Sequence, residues 1–438
     1  MADRRVAITG IGVVTAAALG AEAFWQALLN GTQGVKTIDL FDASGFPCSA
    51  GGQLDHFSAR DYVPKSYRKA VKVMARDIEI VVAAADLAVR DSKLVTRGID
   101  ESAQPTVPNK RLGCNIGAGL ICADLDELGA AVSTAVTDGA FDLKAWGASG
   151  MNNLTPLWLL KYLPNMLACH VTIVHGAQGP SNTITCGDAS GLLSIGEAAR
   201  WVQRGDATAV LAGGAESKLN PMGLLRQHLL GRLCTSRNDA PAAACRPLDA
   251  SHDGTVIGEG GGLVVLEEME HARSRGATIY AELAGFGGAC DPAGIHIAQP
   301  TAGGLELAVR NALRDAELPE GEISAIVAHG SGVPGEDAAE SSAWVEALGD
   351  AALERPAFAL TGATGALFAG SGGVTLSAAA LALHHQTVPP TVNFASADSR
   401  CGLALSARAR PARLDHVAVG GFTIGGQSAA CVLKRYPP

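Results

Sequence analysis

A chain of 438 residues with 47% hydrophobic side chains, 18% charged and 53 glycines is long enough to bury a large core, and its composition excludes a disordered or low-complexity protein. With 34 basic against 43 acidic residues the net charge is −9, which argues against nucleic acid as a main partner. No apolar run approaches the ~20 residues that span a bilayer, and MADRRVAITG at the start has no apolar signal core, so no membrane span and a cytoplasmic location are expected.

In chain order, short β-branched runs ending in glycine alternate with alanine-rich stretches. The pattern predicts strands over 5–11, 171–174, 207–212, 262–267, 279–286, 323–327, 416–420 and 429–434. It predicts helices over 21–29, 69–91, 190–204, 303–315, 338–348 and 373–385, the last very rich in alanine. Runs such as AVLAG and IVAHG are apolar on both faces, which suits central strands covered by helices. The alternation points to a layered α/β fold. The length suggests two similar halves, 1–255 and 256–438, meeting near the glycine-rich segment 246–261. Ten cysteines show no CxxC spacing and His384-His385 is adjacent rather than i,i+4, so neither a disulfide framework nor a metal site is expected.

Seven segments stand in a telling order: VAITGIGVVTA (6–16), NMLACHVTIVHGAQGPS (165–181), IGEAARWVQRGDATAVLAGGAES (195–217), RPLDASHDGTVIGEGGGLVVLEE (246–268), IYAELAGFGGACDPAGIHIAQP (279–300), IVAHGSGVPGED (326–337) and VPPTVNF (388–394). Through them the chain resembles, end to end, the β-ketoacyl-acyl-carrier-protein synthase (ketosynthase) family, elongating type, of the thiolase superfamily. The resemblance implies a thiolase-like α/β fold, two similar βαβ-rich halves forming a five-layered α-β-α-β-α core. It also implies acyl groups delivered on the phosphopantetheine of an acyl carrier protein, with no separate cofactor.

Such an enzyme needs a thiolate favoured by a helix N-terminus, and two histidines that hold a malonyl thioester carbonyl while carbon dioxide leaves. The family supplies them from an elbow cysteine, an HGTxTP histidine, and a KSxxGH lysine and histidine. Aligned without a gap between Gly179-Pro180-Ser181 and Gly191, the nucleophile position falls on Asp188. Cys186 is the alternative nucleophile, reached by a two-residue deletion before it and a compensating insertion after it. Their plainer roles are a helix N-cap for Asp188 and a small core residue for Cys186.

His329 occupies the first histidine position. In the segment 361–374 the lysine position holds Thr361 and the second histidine position holds Ala366. Phe422 stands where a gating aromatic would. Lys65, Arg68, Lys69 and Lys72, spaced to share one face of the helix expected from near Ser66, match the cluster that docks the acidic carrier protein in elongating ketosynthases. A solvated helix face is the plain alternative.

With three of four catalytic side chains replaced, standard condensation is not expected. The chain resembles instead a chain-length factor, a degenerate member that pairs with a catalytic ketosynthase across a pseudo-twofold interface and shapes the acyl tunnel. LTPLWLLKYLPNM (154–166) would line that interface or tunnel. The alternatives are an acyltransferase using Cys186 with His329, a thioester hydrolase using Asp188 with His329, and a homodimeric binder of acyl chains or carrier protein.

Overall fold

The computed structural model describes residues 4–292, 301 and 303–437, so the end of the 279–300 segment lies outside the described residues. Among the described residues ten strands form one mixed sheet. They are β1 (Val6–Thr15), β2 (Leu112–Gly117), β3 (Ser181–Ile184), β4 (Ala209–Ser217), β5 (Glu259–Glu268), β6 (Ala281–Cys290), β7 (Ala325–Val327), β8 (Ala357–Phe358), β9 (His416–Phe422) and β10 (Gln427–Lys434). Their order is β8-β7-β9-β10-β6-β1-β5-β4-β2-β3. Two five-stranded halves meet where Val6, Ala7 and Ile8 of β1 pair antiparallel with Leu283, Glu282 and Ala281 of β6.

Seven helices matter for the site: α1 (Ala21–Leu29), α2 (Arg76–Asp91), α3 (Met166–His175), α4 (Ser190–Arg204), α5 (Gly303–Asp315), α6 (Pro334–Leu348) and α7 (Ser371–His385). α2 covers β1, β5 and β4 from outside, and α5 covers β6 and β10, with α6 packed on α5. α4 and α7 lie between, touching each other and strands of both halves. These are the five α-β-α-β-α layers the resemblance implies. α7 is buried from Ser371 to Leu383 because it is apolar or small all round, and only such a helix can serve as a central layer.

Two expected elements are corrected. The run 171–174 is not a strand; it lies inside α3, whose buried positions Leu167, His170, Val171, Val174 and His175 follow the helical period and pack against α2. Burial of that stripe overrides the β-branched preference of VTIV. Nor does one helix run from 69 to 91. Residues Lys65–Tyr67 and Ala70–Val73 form two short 3-10 turns, Met74 is extended, and the helix begins at Arg76. Four cations on one helical face would repel each other. The helix starts instead where Asp77 and Glu79 favour its N-terminus and where Arg76 pairs with buried Glu259 (Nε–Oε2 2.8 Å).

Candidate functional site

The edge strand β3 ends at Ile184, and the chain turns through a 3-10 turn at Gly187–Ala189 into α4. Asp188 sits in that turn with 4% of its surface exposed. It does not cap the helix. Ser190 braces the turn: its Oγ accepts from Cys186 N at 2.7 Å and donates to Gly187 O at 2.7 Å. Asp188 Oδ1 is left buried with no hydrogen-bond partner among the described residues. One residue into α4, a Cβ at Gly191 would lie 2.8 Å from Ala369 O, so glycine is what lets α4 meet α7 here.

His329 follows β7 on a turn that buried Glu340 of α6 clamps. His329 N and Gly330 N donate to Glu340 Oε1 and Oε2 at 2.6 and 2.8 Å. Gly330 adopts φ +53°, left-handed backbone that glycine tolerates. Burial raises the pKa of Glu340. The His329 ring lies with Nε2 3.8 Å from Asp188 Oδ1, and its centroid is 5.0 Å from that of buried Phe422 at the end of β9. The fold thus joins Asp188, His329 and Phe422.

Thr361 also reaches this turn, its hydroxyl donating to Gly330 O. Where the resemblance expects a lysine, a hydroxyl holds the histidine loop. Ala366 is buried in a backbone bridge to the segment before β5, its N–H donating to Val256 O at 2.8 Å, and its methyl offers no proton. The space beside His329, Thr361 and Thr364 is about 10 Å³, room for about one water.

Asp188 borders a cavity of about 430 Å³ that Cys186 does not line. Burial pushes the Cys186 thiol up, away from the thiolate that a nucleophile needs. The cavity wall carries Glu216, Lys218, Gln227 and Arg232, all buried. Lys218 is bonded to Glu216 and donates to Leu120 O at 3.0 Å. Arg232 holds Glu336 of α6 in a fork, Nε to Oε1 at 2.7 Å and Nη2 to Oε2 at 2.9 Å, and donates to Gln227 Oε1 at 2.9 Å. Leu120 and Pro164, near the two ends of the excursion between β2 and α3, also line the cavity.

This polar wall escaped the sequence reading. Its one local signal is Glu216 and Lys218 standing directly after the apolar run of β4. A larger cavity, about 590 Å³, lies beyond Ser217 around Arg76, Asp77 and Cys122, and contains neither Asp188 nor His329. Lys65, Arg68, Lys69 and Lys72 are all exposed on their two turns and border neither cavity.

The family model for the beta-ketoacyl synthase N-terminal domain matches residues 3–272, and that for the C-terminal domain matches 280–395. The chain belongs to the β-ketoacyl synthase family. It is 34% identical over 439 residues to 3-oxoacyl-[acyl-carrier-protein] synthase 2 of Vibrio harveyi, covering 99% of each. Its structure is similar to the ishigamide ketosynthase/chain length factor, with a TM-score of 0.85 at 26% identity over 100% of both chains. It is also similar to a chain from a complex of a type II polyketide synthase acyl-carrier protein with its ketosynthase bound to the hexaketide, TM-score 0.83 at 26% identity, over 99% of this chain and 100% of that one.

This is a ketosynthase-family protein of the fatty-acid and polyketide type, with the thiolase fold. Within this ketosynthase fold Asp188 stands on the elbow between β3 and α4, and His329 on the loop after β7. No helix among the described residues is long and apolar enough to cross a membrane.

Proposed function

We propose that this ketosynthase-family protein does not condense acyl chains but acts, like a chain-length factor, as the partner of a catalytic ketosynthase, shaping the space for an acyl chain brought by acyl carrier protein. The observation that carries this reading is that Asp188 lies 3.8 Å from His329 and Thr361 bonds the His329 turn; by the sequence resemblance they stand at the nucleophile and lysine positions, with Ala366 at the second histidine position. A carboxylate cannot exchange with a thioester as a thiolate does, and an ionised one repels the malonyl carboxylate.

Pairing is supported by the outer edge of β3, which pairs with no strand among the described residues, and by the excursion between β2 and α3. That excursion leaves Phe141, Leu143, Met151, Leu157 and Leu159 exposed. The exposed Lys65, Arg68, Lys69 and Lys72 supply a surface for an acidic carrier protein. The test is intact-protein mass after incubation with acyl- and malonyl-carrier protein, with a pull-down against a catalytic ketosynthase. No adduct together with a retained ketosynthase is the expected result. An acyl group on Cys186 would overturn it and make the protein an acyltransferase.

A second reading rests on the 3.8 Å approach of His329 Nε2 to the otherwise unpartnered Asp188 Oδ1. His329 would take a proton from water as the oxygen attacks a thioester carbonyl, with Asp188 steadying the imidazolium. The carboxylic acid and the thiol leave, the thiolate receiving the proton from His329. Thiol release from acyl-carrier protein that disappears in Asp188→Asn would favour this reading. Its absence in the native protein removes it.

A further inference from the structure

Three segments meet beneath the His329 turn, and a buried histidine joins them. The ring of His252, in the stretch before β5, lies with Nδ1 2.8 Å from Asp337 Oδ2 and Nε2 3.2 Å from Asp398 Oδ2. The side chains of His252 and Asp337 are 2% and 0% exposed, and that of Asp398 is 14% exposed. Asp337, on α6, holds the turn that carries His329. Gly332 N and Ser331 Oγ donate to its Oδ1 at 3.1 and 3.4 Å, and Leu248 N donates to its Oδ2 at 2.7 Å. Asp398 belongs to the loop 395–400, which also leans on Asp249 through Ala395 N and Ser396 N at 2.6 and 3.1 Å.

A neutral imidazole carries one N–H and one lone pair. Here each ring nitrogen faces a carboxylate oxygen, so a neutral ring would turn its lone pair on one of them in a buried site. Only the imidazolium donates to both. Arg400 forks Asp398 from the solvent side, Nε to Oδ1 at 3.0 Å and Nη2 to Oδ2 at 3.1 Å, and holds that carboxyl well below the usual carboxylate range. The other charged groups nearby have partners of their own. Arg246 bonds Asp249, Ser236 bonds Asp253, Arg237 donates to Ser251 O, Arg232 holds Glu336, and Glu340 takes the N–H groups of His329 and Gly330. Burial pushes the thiols of Cys245 and Cys401 up to about 12, so they keep their protons. Burial alone would lower the pKa of His252, but the hydrogen bonds and charges of Asp337 and Asp398 outweigh it and raise it.

We propose that His252 is a buried imidazolium latch, joining Asp337 beneath the His329 turn to Asp398 of the loop 395–400, and that loss of its proton releases the loop. The link that opens is the one from Nε2 to Asp398, the longer and more exposed of the two, because Arg400 keeps Asp398 paired when the ring becomes neutral. Since the folded value is raised, the latch is complete below the ~6.5 of a free imidazole and is lost as pH rises through the folded value. This device is independent of whether the protein pairs with a ketosynthase.

The test combines histidine ring NMR with hydrogen exchange on the full chain. The ring signal missing from His252→Gln identifies His252, and in the native protein it should titrate above ~6.5. The reporters on the loop are the N–H groups of Asp398, Arg400 and Cys401, bonded to Leu248 O, Asp398 Oδ1 and Asp398 O. At pH 7 they should exchange about tenfold or more faster in His252→Gln than in the native protein. His252→Arg, which supplies a fixed cation, should exchange at close to the native rate, and amides of α2 should exchange alike in all three proteins. A native His252 ring that titrates at or below ~6.5 overturns the proposal. So does loop exchange in His252→Gln that matches the native protein. If neither variant folds, the native protein decides: corrected for its intrinsic pH dependence, loop exchange should rise relative to that of α2 on the alkaline side, and a constant ratio overturns the latch.

Discussion

Around His329 the loop is held in place by two side chains. Thr361 bonds Gly330 O, and Glu340 takes the N–H groups of His329 and Gly330. On the proposed reading, a thiol placed at position 188 would still lack a second proton donor, since Ala366 offers none. Asp188→Cys should leave condensation at least about 1000-fold below that of an intact ketosynthase, measured as carbon dioxide release from malonyl-carrier protein. Turnover near the intact rate would mean that the second histidine is dispensable here. Asp77, on the far side of the same charged wall, is pushed up to about 7 by burial and by the charge of Glu216. Its folded value lies above that of a carboxylate in the unfolded chain, so the fold binds a proton more tightly. That contribution is complete at low pH and is lost as pH rises from about 4 to 7. Asp77→Asn, which keeps the neutral form, should flatten the fall in the urea midpoint between pH 5 and pH 8. An unchanged slope would show that Asp77 does not titrate in that range.

At the scale of elements, most of the layered fold was legible because its central strands and helices carry strong patterns. β4, β5, β9 and β10 are buried almost along their whole lengths, and such runs announce themselves as apolar on both faces. What failed was local preference set against packing. VTIV reads as a strand until its neighbours complete the stripe of α3. β2 passed unnoticed because LGCNIG carries a single β-branched residue. β3 is four residues at an edge, too short for a period to show, yet it aims the elbow that places Asp188. The crossing of α4 and α7 just behind that elbow is tight. Gly191→Ala should cost roughly 1–3 kcal/mol, read from urea unfolding, because a methyl 2.8 Å from Ala369 O in the turn before α7 and 3.1 Å from Gly373 N within it forces α4 and α7 apart. A loss under about 0.5 kcal/mol would mean the layers yield more easily than their packing suggests.

At the scale of the whole molecule, the candidate site was half legible. Asp188, His329 and Phe422 were found by motif, and the fold brings all three together. The charged wall was not found, since its members Glu216, Lys218, Gln227 and Arg232 come from the end of β4 and from the turns and short helix that follow it, and share no single period. The basic residues were found but their helix was not, so any docking there rests on exposure and charge rather than on a shared helical face. Reversing both Arg68 and Lys69 to glutamate should weaken acyl-carrier-protein binding roughly tenfold at low salt, with the gap closing as salt rises. Equal affinities at low salt would make these turns merely solvated.

The narrow seam between β1 and β6 also sets a timetable for synthesis. β1 precedes both its sheet neighbours by about 250 residues or more in the chain, and it is buried at every position in the finished protein. Its neighbours on both sides come late: Val6 pairs with Glu268 on one side and with Leu283 on the other. At about 5–20 residues per second, the nascent chain carries this strand with neither edge satisfied for on the order of 10–50 s. Newborn copies are therefore committed clients of whatever shields hydrophobic segments during translation, and truncations ending before residue 268 should accumulate as aggregates rather than as a free-standing amino-terminal half.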